Sequence, residues 1–249
     1  MAENRAYGEG VPCWVDAQLP DVEAGKRFYG ELFGWSFEER RYGGAVWALR
    51  DGEPVAALTR KTDGRMPTVW TVYFATPDIE GLADRIWAAG GQVVTAPMPV
   101  GDLGTSALVT DPDGAVFGLW EPDTHPGFGA RHETGTFAWA ELYARDTEAA
   151  NTFYGGLFHD ALFGPDAAPD FGRAPVSDVF PAEMPPHFLV HFGVEDCEAA
   201  LGAVRRLGGA GAGATLRDVL RKGRRRHRQS GGVVRRTGAA TAVNPGVLV

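Results

Sequence analysis

The sequence predicts an α+β chain of two tandem domains, and three observations carry that prediction. A stretch recurs at one offset: CWVDAQLPDVEAGKRFYGELF (Cys13 to Phe33) and AWAELYARDTEAANTFYGGLF (Ala138 to Phe158) align Trp14 with Trp139, Asp21 with Asp146 and Phe28-Tyr29-Gly30 with Phe153-Tyr154-Gly155, all 125 residues apart. A repeat of that length reports a duplicated domain rather than a solenoid. A weaker echo joins Val69–Gly91 to His187–Gly209, pairing Asp78 with Asp196 and Gly90-Gly91 with Gly208-Gly209 at an offset of 118. Each of these four stretches reads as a strand, an Asp and an amphipathic helix. The plan is therefore four modules in two pairs, with a seven-residue deletion between the openings of the second pair.

Taken in order, Cys13 to Leu19 alternates. Val15, Ala17 and Leu19 should meet a helix while Trp14, Asp16 and Gln18 face the other way. Asp21 suits the start of that helix, because its carboxylate accepts from the free N–H groups of the first turn. Ala24, Phe28 and Leu32, flanked by Tyr29 and Phe33, should form the apolar face, and Gly34 suits the left-handed residue past the helix. Trp35–Arg40, Ala45–Arg50 and Pro54–Thr59 read as three short strands, with Asp51-Gly52 as a hairpin turn.

Val69–Ala75 opens the second module, Val72 and Phe74 toward its helix and Thr71 and Tyr73 away. Its helix runs from about Ile79 to Ala89, and Gln92–Thr95, Ser106–Thr110 and Ala115–Trp120 complete residues 9–122 as the first domain. Residues 123–135 (DTHPGFGARHETG) lack periodicity and read as a linker, with His125 and His132 expected in solvent. In the second domain, residues 136–209, Trp139, Glu141 and Tyr143 share one strand face, and His187, Leu189 and His191 share another. Asp160–Pro186 is Pro-rich and alternates poorly, so strands there should be weak or missing.

The F-Y-x-x-L-F run seven residues after Asp21 and again after Asp146, with DPDG at Asp111 to Gly114, resembles the vicinal oxygen chelate superfamily, the glyoxalase, bleomycin-resistance and extradiol-dioxygenase group. The resemblance covers roughly residues 9 to 209. It implies paired βαβββ modules around a cleft in each domain. The two-domain form is similar to accessory proteins of anthracycline biosynthesis in high-GC bacteria.

The last forty residues depart from this pattern. Residues 210–249 contain no Phe, Tyr or Trp and carry nine Lys/Arg against one Asp, including RKGRRRHR at Arg221 to Arg228. One reading is a basic arm for nucleic acid or anionic surfaces. A sharper one comes from the genetic code. Shifting the frame by one base within Arg226–Arg235 allows, with GC-rich codons, VTDNQGASFA. That string resembles VTDPDGAVFG at Val109 to Gly118 and falls at the 118-residue offset. A frameshift near residue 210 is expected, leaving the second domain degraded at its C-terminal end.

The formal net charge of −8 hides the body's charge: the first 209 residues hold 15 basic and 31 acidic groups. An acidic body argues against a nucleic-acid partner. No run reaches the roughly 20 apolar residues of a membrane span. The start, MAENRAYGEG, lacks a signal-peptide core, and two cysteines, Cys13 and Cys197, make no disulfide framework. A cytoplasmic protein with reduced thiols is expected.

Enzymes of the resembled superfamily commonly carry a metal ligand seven residues before each helix-start Asp and a carboxylate on a late strand. Those positions hold Trp14, Thr71, Trp139, Leu189 and Gly118, none suited to a divalent ion. No metal and no cofactor is expected. Aromatic residues line the same faces, Trp14, Tyr73 and Trp120 in the first domain and Trp139 and Tyr143 in the second, and such walls suit a flat, partly apolar ligand held by stacking. The expected site is the first domain's cleft, walled by Trp14, Asp16, Gln18, Trp47, Thr71, Tyr73 and Trp120. The alternative for the same aromatics is core or interface packing inherited by duplication. Glu141 and His191, with His187, form the weaker candidate for metal-free acid–base chemistry.

The resulting expectation is a metal-independent binder of a small aromatic or polyketide-like molecule, an accessory to a late oxidation in antibiotic biosynthesis. Its further partners would be an oxidising enzyme of that pathway and a second copy as a homodimer. The alternatives are a lyase, isomerase or dioxygenase of the glyoxalase type, and a drug-sequestering resistance protein.

Overall fold

The computed structural model describes residues 7–40, 44–62, 68–164, 167, 170–176, 180 and 183–208. The expected frame change near residue 210 lies outside them. The first part runs β1 (Pro12–Leu19), α1 (Val22–Phe33), β2 (Ser36–Glu39), β3 (Val46–Arg50), β4 (Glu53–Arg60), then β5 (Trp70–Ala75), α2 (Ile79–Ala88), β6 (Gln92–Pro99), β7 (Gly104–Thr110) and β8 (Val116–Pro122). These make one eight-stranded sheet in the order β2-β3-β4-β1-β5-β8-β7-β6. In each half the first strand pairs parallel with the last, β1 with β4 and β5 with β8, while β1 and β5 join the halves antiparallel. Two βαβββ units thus share a sheet.

Residues 137–206 continue with β9 (Phe137–Ala144), α3 (Thr147–Leu157), α4 (His159–Phe163), β10 (Phe171–Pro175), β11 (His187–Phe192) and α5 (Cys197–Arg206). The sheet order is β10-β9-β11, parallel then antiparallel, which repeats β4-β1-β5. The register repeats too. Trp14 lies opposite Tyr73 and Asp16 opposite Thr71; Trp139 lies opposite His191 and Glu141 opposite Leu189. Among the described residues only β10 fills the Pro-rich stretch between α4 and β11, where the first part has three strands.

All four predicted aspartates cap their helices. Asp21 accepts from the Ala24 N–H, Asp78 from Gly81, Asp146 from Glu148 and Ala149, and Asp196 from Glu198 and Ala199. Gly34 closes α1 at φ 69°. Asp51 and Gly52 both take positive φ, 53° and 87°, as a tight hairpin between twisted strands requires. The buried face of α1 differs by one residue from the expected one: Gly25, Tyr29 and Phe33 are buried, whereas Phe28 and Leu32 are only partly so. Gly25 allows this, since a Cβ there would lie 2.2 Å from Leu19 Cδ1.

The strand faces are as the alternation predicts. Val15, Ala17, Val72 and Phe74 are fully buried on the helix side. The two parts share a core, because one cluster of buried residues runs from Cys13 to Phe192. Phe74 stacks on Phe158 with centroids 5.3 Å apart and meets Phe171 and Phe188 edge-on, while Phe192 packs on Phe33, Trp35 and Trp70. The helix-side face of the second sheet is thus buried against the first. Asp111, in the DPDG turn, accepts from the N–H groups of Asp113 and Ala115 and from the Tyr154 hydroxyl at 3.2 Å, so this motif also fastens the two parts together.

Candidate functional site

Pairing across the large sheet fixes which residues share its helix-free face. One row is Trp47, Ala57, Asp16 and Thr71; the next is Trp14, Tyr73, Gly118 and Leu108; a third holds Ala75, Trp120 and Ser106. With Gln18, two residues along β1 from Asp16, all seven predicted wall residues lie on that face. The structure brings them together as the alternation requires.

They divide into two groups. Trp14, Trp47 and Trp120 form a buried aromatic end, and residues 125–129 of the expected linker fold onto it. The His125 ring sits 4.5 Å from Trp14, 4.3 Å from Trp47 and 5.8 Å from Trp120, centroid to centroid. Trp120 Nε1 donates to the His125 carbonyl at 2.9 Å, and Phe128 packs against Trp14 at 5.6 Å. The Phe128 N–H donates to the Cys13 carbonyl and Gly129 to that of Pro54, so the segment is tied down by backbone bonds. The expectation of a solvated His125 is therefore corrected. Its ring is 5% exposed with Nε2 sealed and without a partner. Burial, helped by the nearby Arg40 guanidinium, lowers its pKa to about 4. The Pro-Gly-rich composition hid the ring's destination. His132 differs: it is half-exposed and bonds Asp170 at 2.9 Å, beside the Arg131–Asp170 ion pair.

The second group is the open floor of the face: Asp16, Gln18, Thr71 and Tyr73. Gln18 is exposed and the others are partly so. Tyr73 donates from its hydroxyl to Asp16 Oδ2 at 3.1 Å, while Asp16 Oδ1 is sealed and has no hydrogen-bond partner. Burial raises the Asp16 pKa to about 6, against the pull of the Tyr73 hydroxyl and of Thr71 across the strand pair. The Tyr73 ring lies directly over Gly118, where a Cβ would meet its Cδ1 at 2.2 Å. A carboxylate at Gly118 is therefore sterically closed.

In the second part the equivalent face is covered from within. Tyr143 and Leu189 pack with Ala174, Val176 and Phe180, and the Phe180 and His187 rings lie 4.8 Å apart. Glu141 and His191 share that face. His191 is buried, its Nε2 has no partner, and desolvation lowers its pKa to about 3. It is neutral and weakly basic at neutral pH. Among the described residues no group of three or more His, Cys, Asp or Glu converges as a metal site, and no helix is long and apolar enough to cross a membrane.

The fold and face just described have counterparts. Residues 14–119 match the family profile of the Glyoxalase/Bleomycin resistance protein/Dioxygenase superfamily. The chain is 34% identical over 227 residues to "Putative glyoxylase CFP32" of Mycobacterium tuberculosis, covering 84% of this chain and 87% of that protein. The chain belongs to that superfamily. It is also 33% identical over 231 residues to the anthracycline biosynthesis protein DnrV of Streptomyces peucetius, covering 82% of this chain and 84% of that one. Among solved structures, the Mn(II)-bound glyoxalase from Novosphingobium aromaticivorans shares the fold at a TM-score of 0.51 and 16% identity, covering 81% of this chain and 71% of that one.

The residues present do not fit the metal that superfamily enzymes commonly hold. Trp14 and Thr71 stand where the resemblance expects two ligands, and the Tyr73 ring covers Gly118 where it expects a third.

Proposed function

We propose that the protein binds a small, flat, partly aromatic molecule on the helix-free face of its eight-stranded sheet, without a resident metal. Its role on this reading is as an accessory to a late oxidation in aromatic polyketide biosynthesis. The observation that carries the reading is the exchange at the ligand positions: a Tyr73 ring over Gly118, and Trp14 in place of a donor. Aromatic faces beside a few oriented polar groups are the usual composition of a small-molecule cleft. The likeness to a protein named for anthracycline biosynthesis supports the pathway. Residues 123–130 close the aromatic end, so the ligand rests on Tyr73, Thr71, Asp16 and Gln18 and reaches the tryptophans at its edge.

The same reading takes residues 136–209 as a second domain of the same kind, shortened in its Pro-rich middle, whose last three strands are those that the change of frame removes. The matching register of β9, β10 and β11 with β1, β4 and β5 supports it.

Tryptophan-fluorescence titration of planar polycyclic aromatics, in chelator, tests the function. Binding to the wild type and a loss on the order of thirtyfold in Trp14→Ala, about 2 kcal/mol, are expected. Binding that requires added metal would overturn the reading in favour of a glyoxalase-type enzyme, the reading that the mycobacterial relative's name supports.

A further inference from the structure

Asp16 is an acid with an incomplete set of partners. Its Oδ2 accepts a hydrogen bond from Tyr73, Thr71 faces it across the strand pair, and its Oδ1 is sealed with no hydrogen-bond partner among the described residues. No ion pair to Asp16 occurs among the described residues, and Arg85 and Arg131 pair with Glu9 and Asp170 instead. The groups facing it from neighbouring strands are uncharged at neutral pH. On β4 these are Ala57, directly opposite, and Thr59, and on β5 they are Thr71 and Tyr73. The other titratable group beside Tyr73 is the buried Cys13 thiol, which burial keeps protonated.

A carboxylate held away from water without a counter-charge is costly unless something pairs with it. The Tyr73 ring stands beside it, and aromatic faces attract cations. The surrounding body is strongly acidic, 31 acidic against 15 basic groups in the first 209 residues, and such a field concentrates cations.

We propose that the cleft selects a cationic ligand: a flat aromatic body carrying a protonated amine, with the ammonium group pairing with Asp16 while Tyr73 holds the carboxylate in place. This rests on the cleft reading above and adds the charge of its occupant. The ammonium group supplies the counter-charge that the Asp16 carboxylate lacks, and neither group changes protonation at neutral pH. Below pH 6 the carboxyl group takes up its own proton, and the pairing is lost.

A matched pair of probes tests this, 1-naphthylmethylamine against 1-naphthylmethanol, titrated into the whole chain and followed by calorimetry. The amine should bind at least about tenfold more tightly at pH 7.5. That preference should fall to within about twofold in Asp16→Asn, which keeps the shape and the acceptor for Tyr73. The amine's affinity should drop by about tenfold per unit as the pH falls below 6, while the alcohol's stays flat. Tyr73→Phe should weaken the amine more than the alcohol. Equal binding of both probes, with Asp16→Asn unchanged, would overturn the proposal and leave the cleft in place. If neither probe binds the wild type while its thermal unfolding shows it folded, the cleft reading falls and this proposal with it.

Discussion

On β1 and β5, Trp14 stands opposite Tyr73 and Asp16 opposite Thr71; on β9 and β11, Trp139 stands opposite His191 and Glu141 opposite Leu189. The backbone frame is the same, and the surroundings are not. Around the first set lie eight strands, so the face extends beyond the repeat and leaves Asp16, Thr71 and Tyr73 partly open. Around the second lie three described strands, and Val176 and Phe180 from the intervening segment cover the face. Even the tyrosines at the shared F-Y motif differ. Tyr154 reaches the carboxylate of Asp111, whereas the buried Tyr29 hydroxyl meets no carboxylate and has the Trp70 indole as its neighbour. A repeat can therefore preserve register while the strands beyond it decide whether a face becomes a site.

The sharpest way to break the comparison is to break what joins the two parts. Phe74 is fully buried and touches Phe158, Phe171 and Phe188 across the junction. Phe74→Ala should cost about 3–5 kcal/mol in urea unfolding, in one transition that carries both parts. Two separate transitions, only the first of them shifted, would show that the shared core does not couple them.

Acid distinguishes the buried histidines. His125 and His191 have folded pKa values of about 4 and about 3, below the ordinary value of 6.5, so each must gain a proton on unfolding. Stability should therefore fall as the pH drops below 6.5, by about 1.4 kcal/mol per pH unit for each group. The loss is complete near pH 4 for His125 and near pH 3 for His191. Asp16 and Asp111, held above their ordinary value, pull the other way because the folded state binds their protons first. His191→Phe should remove one histidine's share of the slope between pH 6 and 4. An unchanged slope in chemical denaturation would show that His191 is already protonated in the folded protein.

Glycines under rings come next. A Cβ at Gly118 would lie 2.2 Å from Tyr73 Cδ1, and one at Gly172 would lie 2.7 Å from Trp139 Cζ2. Gly118→Ala should cost about 1–3 kcal/mol and abolish binding of the planar probes, since Tyr73 must move. Gly172→Ala should destabilise comparably and leave that binding intact. Equal loss of binding in both variants would show that the site is not confined to the first part.

The smallest effect sits at the helix starts. Asp146 accepts from two N–H groups and Asp21 from one, so Asp146→Ala should cost about 1 kcal/mol and Asp21→Ala somewhat less. The reverse order in thermal melts would show that the exposed caps are not equivalent to their geometry.

How much of this was legible in the chain can be followed residue by residue. Alternation placed Trp14, Asp16 and Gln18 on one face and Val15 and Ala17 on the other, because a strand reverses its side chains at each step whatever surrounds it. Asp21, Asp78, Asp146 and Asp196 announced their helices, because capping is a contact between near neighbours. The repeat offsets aligned the opening strand β1 with β9 and β5 with β11. These relations are local or periodic, and a sequence alone determines them.

What only the tertiary structure decided involves contacts between distant segments. His125, in a stretch without periodicity, lands among Trp14, Trp47 and Trp120, more than 70 positions separating it from two of them. Phe74, read as facing its own helix, also meets Phe188 of β11. The missing partner of Asp16 Oδ1 depends on what β4 and β5 present around it. Burial of a ring, or the orphaning of an oxygen, is set by the sum of neighbours in three dimensions. Composition and period carry no record of that sum.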